Sequence, residues 1–166
     1  MTQQQHLTLP RLRELADRGE IDTIILAAPD MQGRLQGKRV MPRFFFDSVA
    51  AHGLEGCAYL MATDIENAPV PGYSLASWDK GYGDFVFAPD FATLRLAAWQ
   101  PRAAILLCDT TLHDHSPVEV APRTILKRQL ERLKAHKLIA FAATELEFIL
   151  FKNSYEDARD NAYRNL

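Results

Sequence analysis

The chain has 166 residues, of which 48% are hydrophobic and 24% charged, as in an ordinary globular protein with one well-buried domain, or one small domain plus part of another. Its formal net charge of −2 gives no electrostatic reason to expect nucleic acid or an anionic membrane as a partner. No apolar run approaches the length that crosses a bilayer, and the polar amino terminus does not resemble a signal peptide, so we expect a cytoplasmic protein.

The first predicted elements are a short helix and a β-hairpin. Thr8 suits the N-cap of a helix that stops at Gly19. A buried strand is predicted over residues 23–28, a turn over 29–33 and a returning strand over 34–41.

A second helix is predicted to begin at Pro42 and to end at Gly53, with Phe45 and Val49 facing inward. A strand is predicted to follow over residues 56–63.

The two cysteines, Cys57 and Cys108, lie in apolar stretches without C-x-x-C spacing, which predicts reduced thiols rather than a disulfide or a metal site.

Residues 67–83 are rich in Pro, Gly, Ser and aromatic residues, which predicts a long loop, and such loops inside compact domains are usually functional or mobile. Its aromatic residues Tyr73, Trp78 and Tyr82 suit either a subunit contact or core packing. Three strands are predicted after it, over residues 84–88, 93–99 and 103–109. A polar link with His113, Asp114 and His115 then marks the expected domain boundary; this H-x-H pattern is more often a pair of exposed histidines than a metal site.

The last predicted elements are an amphipathic helix from Pro122 and a strand that carries Glu145 and Glu147. Because side chains alternate along a strand, these two carboxylates would share one face. Hard cations such as Mg²⁺ or Mn²⁺ take oxygen ligands, so the pair is a candidate metal site, with a solvated strand face as the alternative. One helix and one strand cannot bury their own apolar surface, so we expect this part to be the start of a larger domain.

An ordered series of short motifs covers nearly the whole length of the chain. The motifs are Gly33-Arg34-Leu35-Gln36-Gly37-Lys38-Arg39, Gly81-Tyr82-Gly83-Asp84, Pro89-Asp90, Thr93-Leu94-Arg95, Trp99, Cys108-Asp109, Pro122-Arg123 and Glu145-Leu146-Glu147-Phe148. In their order and approximate spacing they resemble the glutamine synthetase family. Within the family the chain looks closer to the γ-glutamyl-amine ligases than to housekeeping glutamine synthetase.

The resemblance implies an α+β fold, with an amino-terminal β-grasp (ubiquitin-like) domain followed by an incomplete glutamine synthetase catalytic α/β domain. The implied division is an amino-terminal helix over residues 1–20, a β-grasp domain over 21–115 and the truncated start of the catalytic domain over 116–166. Family members use ATP and divalent cations to join the γ-carboxylate of glutamate to ammonia or an amine through γ-glutamyl phosphate. They act as homo-oligomeric rings whose active sites are shared between neighbouring subunits.

The resemblance also implies roles for four acids. Glu145 and Glu147 match the first two metal-ligating glutamates. Asp64 and Asp84 match acids that help to bind ammonium and draw a proton from it, although turn or cap acids are an equal alternative. Housekeeping enzymes continue after the first aspartate with Gly-Ser-Ser, whereas residues 65–68 here read Ile-Glu-Asn-Ala, which favours a larger amine.

The remaining metal ligands and the nucleotide-binding residues of the family would lie beyond Leu166. We therefore expect the 166-residue chain alone to be inactive. The alternative from another class is a non-catalytic β-grasp module that regulates or assembles with full-length subunits.

Overall fold

A computed structural model describes residues 6–73 and 81–166. Helix α1, Leu9–Asp17, begins after Thr8, whose side chain accepts a hydrogen bond from the N–H of Arg11 at 3.4 Å. Its inward face buries Leu12 and Leu15. The predicted helix is confirmed, together with its N-cap. Of the loop aromatics considered above, Trp78 lies outside the described residues.

The predicted hairpin is also confirmed. Strand β1, Thr23–Pro29, pairs in antiparallel register with β2, Leu35–Val40, so that Ala27 faces Gly37. A Cβ atom on Gly37 would lie 1.8 Å from the carbonyl oxygen of Leu26. Glycine is therefore required here by the close approach of the two backbones.

The second helix is confirmed as three consecutive helical turns. They are α2, Pro42–Phe44, a π-helical turn, Phe45–Val49, and α3, Ala50–His52. Phe45 and Val49 are completely buried, as expected. Gly53 ends the segment with φ at 75°, a conformation that favours glycine.

The strand predicted over residues 56–63 is largely wrong. Strand β3 is Leu54–Cys57, and a 3-10 turn, Ala58–Met61, replaces the rest. This turn buries Ala58 and Met61, the first and last of its four residues, which a strand of period two would place on opposite faces. Tertiary packing has overridden the local strand preference.

Three more strands complete one six-stranded sheet: β4, Asp84–Pro89, β5, Arg95–Leu96, and β6, Ala103–Thr111. The order is β2-β1-β6-β4-β3, with β5 also pairing with β6. Strand β6 runs parallel to β1 and antiparallel to β4 and β5. The strand predicted over 93–99 is thus confirmed only at β5.

Side chains alternate across β1 and β6 and form two apolar layers. One face packs Leu26 and Leu106 against α1 and the buried Phe45. The other face holds a small cluster of Ala27, Ala97, Ala103 and Ile105. The main core thus lies between the sheet and the helices.

The carboxyl-terminal part contains α4, Pro122–Ala135, and α5, Tyr155–Asp160. Helix α4 is confirmed, whereas the strand predicted around Glu145 is wrong, since residues 138–151 form neither helix nor strand. A strand is stable only when another strand completes its hydrogen bonds, and no described part of this chain does so. None of the helices in the described ranges has the length and apolarity needed to span a membrane.

Candidate functional site

The candidate site centres on the loop that carries Asp64, directly after the 3-10 turn. Asp64 Oδ1 accepts hydrogen bonds from the N–H groups of Glu66 and Ala68, both at 2.9 Å. The N–H of Asp64 in turn donates to the carbonyl of Ala68 at 2.9 Å. The side chain of Asp64 therefore shapes its own loop, as an aspartate in a turn does.

The second carboxylate oxygen of Asp64 is placed differently. Within the described ranges no residue donates a hydrogen bond to Oδ2, and the residue is half-buried. The neighbouring Ile65 side chain is 69% exposed. A carboxylate with one oxygen committed to the backbone and one open can accept a hydrogen bond from an ammonium group or an amine.

A second aspartate, Asp30, lies buried in the β1–β2 turn with an exposed fraction of only 1%. Its Oδ1 accepts from the N–H groups of Gln32 and Arg34, both at 2.9 Å. Its Oδ2 accepts from Arg34 Nε at 2.7 Å and from Gln36 Nε2 at 3.0 Å. Both oxygens are thus fully partnered, as a buried charge requires.

These partners decide the protonation state of Asp30. Burial raises the pKa of the carboxyl group, but hydrogen bonds from Gln36, Arg34 and the turn backbone outweigh burial and hold the pKa below its ordinary value. Asp30 therefore stays ionised at neutral pH and is a permanent charged partner for Arg34.

The same turn holds the Asp64 loop through side chains that reach across about thirty residues of sequence. Three hydrogen bonds run from the turn to the loop: Gln32 Nε2 to the Thr63 carbonyl at 2.8 Å, Arg34 Nη2 to the Asp64 carbonyl at 2.9 Å, and Arg34 Nη1 to the Ile65 carbonyl. A fourth comes from Gln36 in β2, whose Nε2 donates to Asn67 Oδ1 at 3.1 Å. Sequence reasoning missed this network, although Arg34 and Gln36 fall in a family-like motif.

Asp84, the other predicted catalytic acid, is the first residue of β4 and is exposed. It faces Cys57 across the sheet, and the adjacent N–H of Ala58 donates to the carbonyl of Gly83 at 2.8 Å. Asp84 therefore lies beside the start of the 3-10 turn that leads to Asp64. No hydrogen bond joins the two acids among the described residues, and their catalytic roles stay predictions.

Glu145 and Glu147 lie in the irregular segment 138–151, and both side chains are exposed. The apolar residues between and after them are exposed too, Leu146 at 87% and Phe148 at 71%. In the parts of the chain that the structure describes, no three His, Cys, Asp or Glu residues come together to hold a metal ion. Two carboxylates without a third ligand do not by themselves fit a divalent cation, and the metal-binding role of this pair stays a prediction.

A third charged cluster joins α4 to the sheet. Arg123 Nε donates to Asp109 Oδ1 at 2.9 Å, and Arg123 also donates to Asp90; Lys127 donates to Asp109. Burial raises the pKa of Asp109, but Lys127 and Arg123 outweigh it and lower the pKa below its ordinary value. The motifs that carry the family resemblance include Asp90, Asp109 and Arg123. The sequence therefore marked these residues as family-like, but it did not show that they form ion pairs with one another.

The H-x-H pattern belongs to an exposed turn. His113 Nδ1 lies 3.9 Å from Glu55 Oε1, and both side chains are exposed. Hydrogen bonds from the Ser116 hydroxyl and N–H lower the pKa of Asp114 between the histidines.

Cys108 is buried, and burial raises the pKa of its thiol to about 12, whereas Cys57 is half-buried; both are free thiols.

Comparisons with known proteins agree on one family. Residues 119–165 match the glutamine synthetase catalytic domain. The chain is 52% identical over 160 residues to gamma-glutamylethanolamide synthetase of Streptomyces coelicolor, covering 96% of this chain and 35% of that protein. It is 30% identical over 166 residues to glutamate–isopropylamine ligase of a Pseudomonas species, covering all of this chain and 36% of that protein.

Among solved structures, a GmaS–ADP complex superposes with a TM-score of 0.57 at 23% identity, over 75% of this chain and 26% of that one. This likeness concerns the fold alone. The chain belongs to the glutamine synthetase family. Within the family it falls in the γ-glutamyl-amine ligase branch, and it spans about a third of the length of the curated relatives it matches.

Proposed function

We propose that this chain forms the amino-terminal part of an ATP-dependent ligase that joins the γ-carboxylate of glutamate to an amine through γ-glutamyl phosphate. One structural observation carries the proposal: Asp64 stands on an ordered, braced loop with Oδ2 open to an incoming group. The glutamate–amine ligases among its relatives support the same reaction class.

In this proposal Asp64 acts on the acceptor. Its Oδ2 accepts a hydrogen bond from the ammonium form of the amine and then takes a proton. The neutral nitrogen attacks the acyl carbon of γ-glutamyl phosphate, and the C–O bond to phosphate breaks as inorganic phosphate leaves. General-base assistance of this kind contributes roughly 10²- to 10⁴-fold in rate. We assign Asp84, beside the start of the turn that leads to this loop, as a second acid that attracts the same cation.

The acceptor in this proposal is an amine larger than ammonia. Ile65 stands next to Asp64 with a side chain that is 69% exposed. An apolar side chain at this place suits the carbon atoms of an alkylamine or a hydroxyalkylamine, which ammonia lacks. One relative is named for the product gamma-glutamylethanolamide and another for isopropylamine, the amine that it joins to glutamate, and both names support this choice.

Divalent cations and ATP belong to the proposal for the whole enzyme, as does a ring of subunits that share active sites. Bound cations would neutralise charge on the phosphates of ATP. Glu145 and Glu147 are the residues we assign to metal binding, with the remaining ligands supplied by other parts of the enzyme.

We also propose that the six-stranded sheet is a β-grasp domain. The support is topological: a β1–β2 hairpin, a helical crossing over residues 42–52, and β6 returning parallel to β1. The proposed division stays at residues 1–20, 21–115 and 116–166, with the catalytic domain beginning in the last segment.

A chimera tests the function. Residues 1–166 replace the matching third of the Streptomyces coelicolor relative, and γ-glutamyl amide formation is measured with glutamate, ATP and ethanolamine, isopropylamine or ammonia. We expect activity, and we expect Asp64→Asn to lower kcat/KM for the amine by about 100-fold. Asp47→Asn, an exposed acid on the helical segment, is the matched control. Full activity of the Asp64→Asn chimera would contradict the role of Asp64.

A second assay uses the 166-residue chain alone, which we expect to give no turnover. Robust γ-glutamyl transfer by this chain would contradict that expectation. Light scattering of the chain mixed with a full-length homologue then tests the non-catalytic alternative, since a regulatory module should enter the oligomer.

A further inference from the structure

We propose that Arg34, anchored on the buried Asp30, is the positioning residue that sets the orientation of the Asp64 carboxylate. The geometric part of this inference stands on contacts alone. Its consequence for catalysis rests on the proposed function of Asp64.

The first argument concerns the source of the side-chain hydrogen bonds that hold the loop from outside. Hydrogen bonds inside the loop close it on itself, through Asp64 and Ala68 and through Ala62 and Val70. Within residues 6–73 and 81–166, every side-chain hydrogen bond that reaches residues 63–68 from outside the loop comes from the β1–β2 turn or from Gln36 at the start of β2. Whatever holds that turn therefore also holds the loop.

The second argument is the geometry of the guanidinium group. Arg34 Nε donates to Asp30, while its two terminal nitrogens donate to the consecutive carbonyls of Asp64 and Ile65. Fixing these two peptide groups holds the Ile65 Cα between them, and the hydrogen bond from Gln32 to the Thr63 carbonyl fixes the peptide group on the other side of Asp64. Together these contacts limit rotation of the backbone at Asp64. A lysine carries all its N–H donors on one nitrogen, so it cannot reproduce these three contacts, which come from three separate guanidinium nitrogens.

The third argument is the rigidity of the anchor. The side chain of Asp30 is fully buried and that of Arg34 is 28% exposed, so solvent competes little for the ion pair. Backbone N–H groups of the turn hold Asp30 from the other side. The buried anchor of Arg34 thus belongs to the β1–β2 turn and not to the loop that Arg34 supports.

The reaction rate falls steeply when a catalytic group is misplaced, even though the group itself is chemically unchanged. Loss of the Arg34 contacts should therefore weaken use of the amine specifically. The Asp64 loop is not proposed to bind glutamate or ATP, so the KM values for these two substrates should stay unchanged.

Hydrogen–deuterium exchange on the 166-residue chain tests the geometric part. In Arg34→Lys we expect the amides of residues 64–68 to exchange about tenfold faster, while those of β1 and β6 stay unchanged. Arg102→Lys is the matched control, because Arg102 Nε pairs with Asp22 at 2.9 Å on the surface, away from the loop. Unchanged loop exchange in Arg34→Lys would overturn the inference.

The chimera described above tests the catalytic part. We expect Arg34→Lys to raise KM for the amine about tenfold or to lower kcat, with KM for glutamate and ATP unchanged. If the KM values for the amine, glutamate and ATP all rose by the same factor, Arg34 would have a merely structural role, and the inference would be overturned. If exchange changes as expected but Asp64→Asn remains fully active, the positioning of the loop stands and the proposed function fails.

Gln32→Ala provides a second variant in case Arg34→Lys does not fold. Gln32 is exposed and donates to the Thr63 carbonyl without contributing to the core. We expect its removal to speed exchange at Asp64 about threefold. No change at that amide would overturn the inference.

Discussion

Arg123 and Asp109 form an ion pair that joins the first turn of α4 to the central strand β6, with Arg123 Nε 2.9 Å from Asp109 Oδ1. The side chains are only 17% and 29% exposed. Arg123 also donates to Asp90, the residue directly after β4, so one guanidinium group ties the helix to the two neighbouring strands β4 and β6. No residue of α4 is buried, and charge rather than apolar packing holds this helix on the sheet.

Replacing Arg123 with methionine should destabilise the chain by about 2 kcal/mol, because two partly buried carboxylates would each lose a hydrogen-bonded cationic partner. Guanidinium chloride unfolding measures this change. Arg128→Met on the same helix is the control, since Arg128 pairs with Glu119 at an exposed position and should change stability by less than about 0.5 kcal/mol. Equal effects of the two variants would contradict a special role for Arg123.

The chain should lose stability in acid through Asp30 and Asp109. Both carboxyl groups have folded-state pKa values below the ordinary value of 3.8. Their contribution is therefore complete above about pH 4 and is lost as the pH falls through the lower folded pKa values. Urea unfolding at pH 6, 4 and 3 measures the effect.

Asp30→Asn is the matched variant for this pH dependence. Because asparagine does not titrate, the variant should be less stable than the parent at pH 6 and should lose less stability between pH 4 and pH 3. The same acid slope in both proteins would show that Asp30 does not contribute.

Gly37→Ala should destabilise the hairpin by at least about 2 kcal/mol, since the new Cβ atom would overlap the Leu26 carbonyl oxygen. Thermal or denaturant unfolding measures the loss. Gly83→Ala is the control, because no atom in residues 6–73 or 81–166 lies within 4 Å of its Cβ position and its φ is not positive. A Gly37→Ala protein as stable as Gly83→Ala would show that the strands are farther apart than described.

Thiol labelling should distinguish the two cysteines. Burial and the raised pKa of about 12 keep Cys108 protonated and inaccessible at pH 8. Iodoacetamide should therefore label the half-buried Cys57 in the native chain, and both residues only after unfolding. Mass spectrometry showing rapid native labelling of Cys108 would contradict its burial.

Ile65→Gly in the chimera should shift the preference from a larger amine toward ammonia. Loss of the apolar side chain beside Asp64 removes a contact of about 1 to 2 kcal/mol with the carbon atoms of the amine, which corresponds to roughly 5- to 30-fold in the ratio of kcat/KM values. An unchanged ratio would show that Ile65 does not face the acceptor.

Local signals in the sequence determined the first half of the fold well. The cap at Thr8, the stop at Gly19 and the turn after Pro29 act over a few residues, and the structure has α1 and the β1–β2 hairpin where they predict them. The family resemblance likewise depends on short ordered motifs, and the comparisons confirm it.

Tertiary structure alone decided the elements whose partners are distant. The apolar residues after Cys57 bury themselves through a 3-10 turn, and the segment around Glu145 lacks a neighbouring strand in the described chain, so neither forms the strand that its pattern favours. The hydrogen bond from Arg34 to the Asp64 carbonyl joins residues thirty positions apart. The ion pair of Arg123 with Asp109 joins residues fourteen positions apart. A pattern of residues reports local conformational preference, whereas such contacts exist only after the sheet has brought distant turns together.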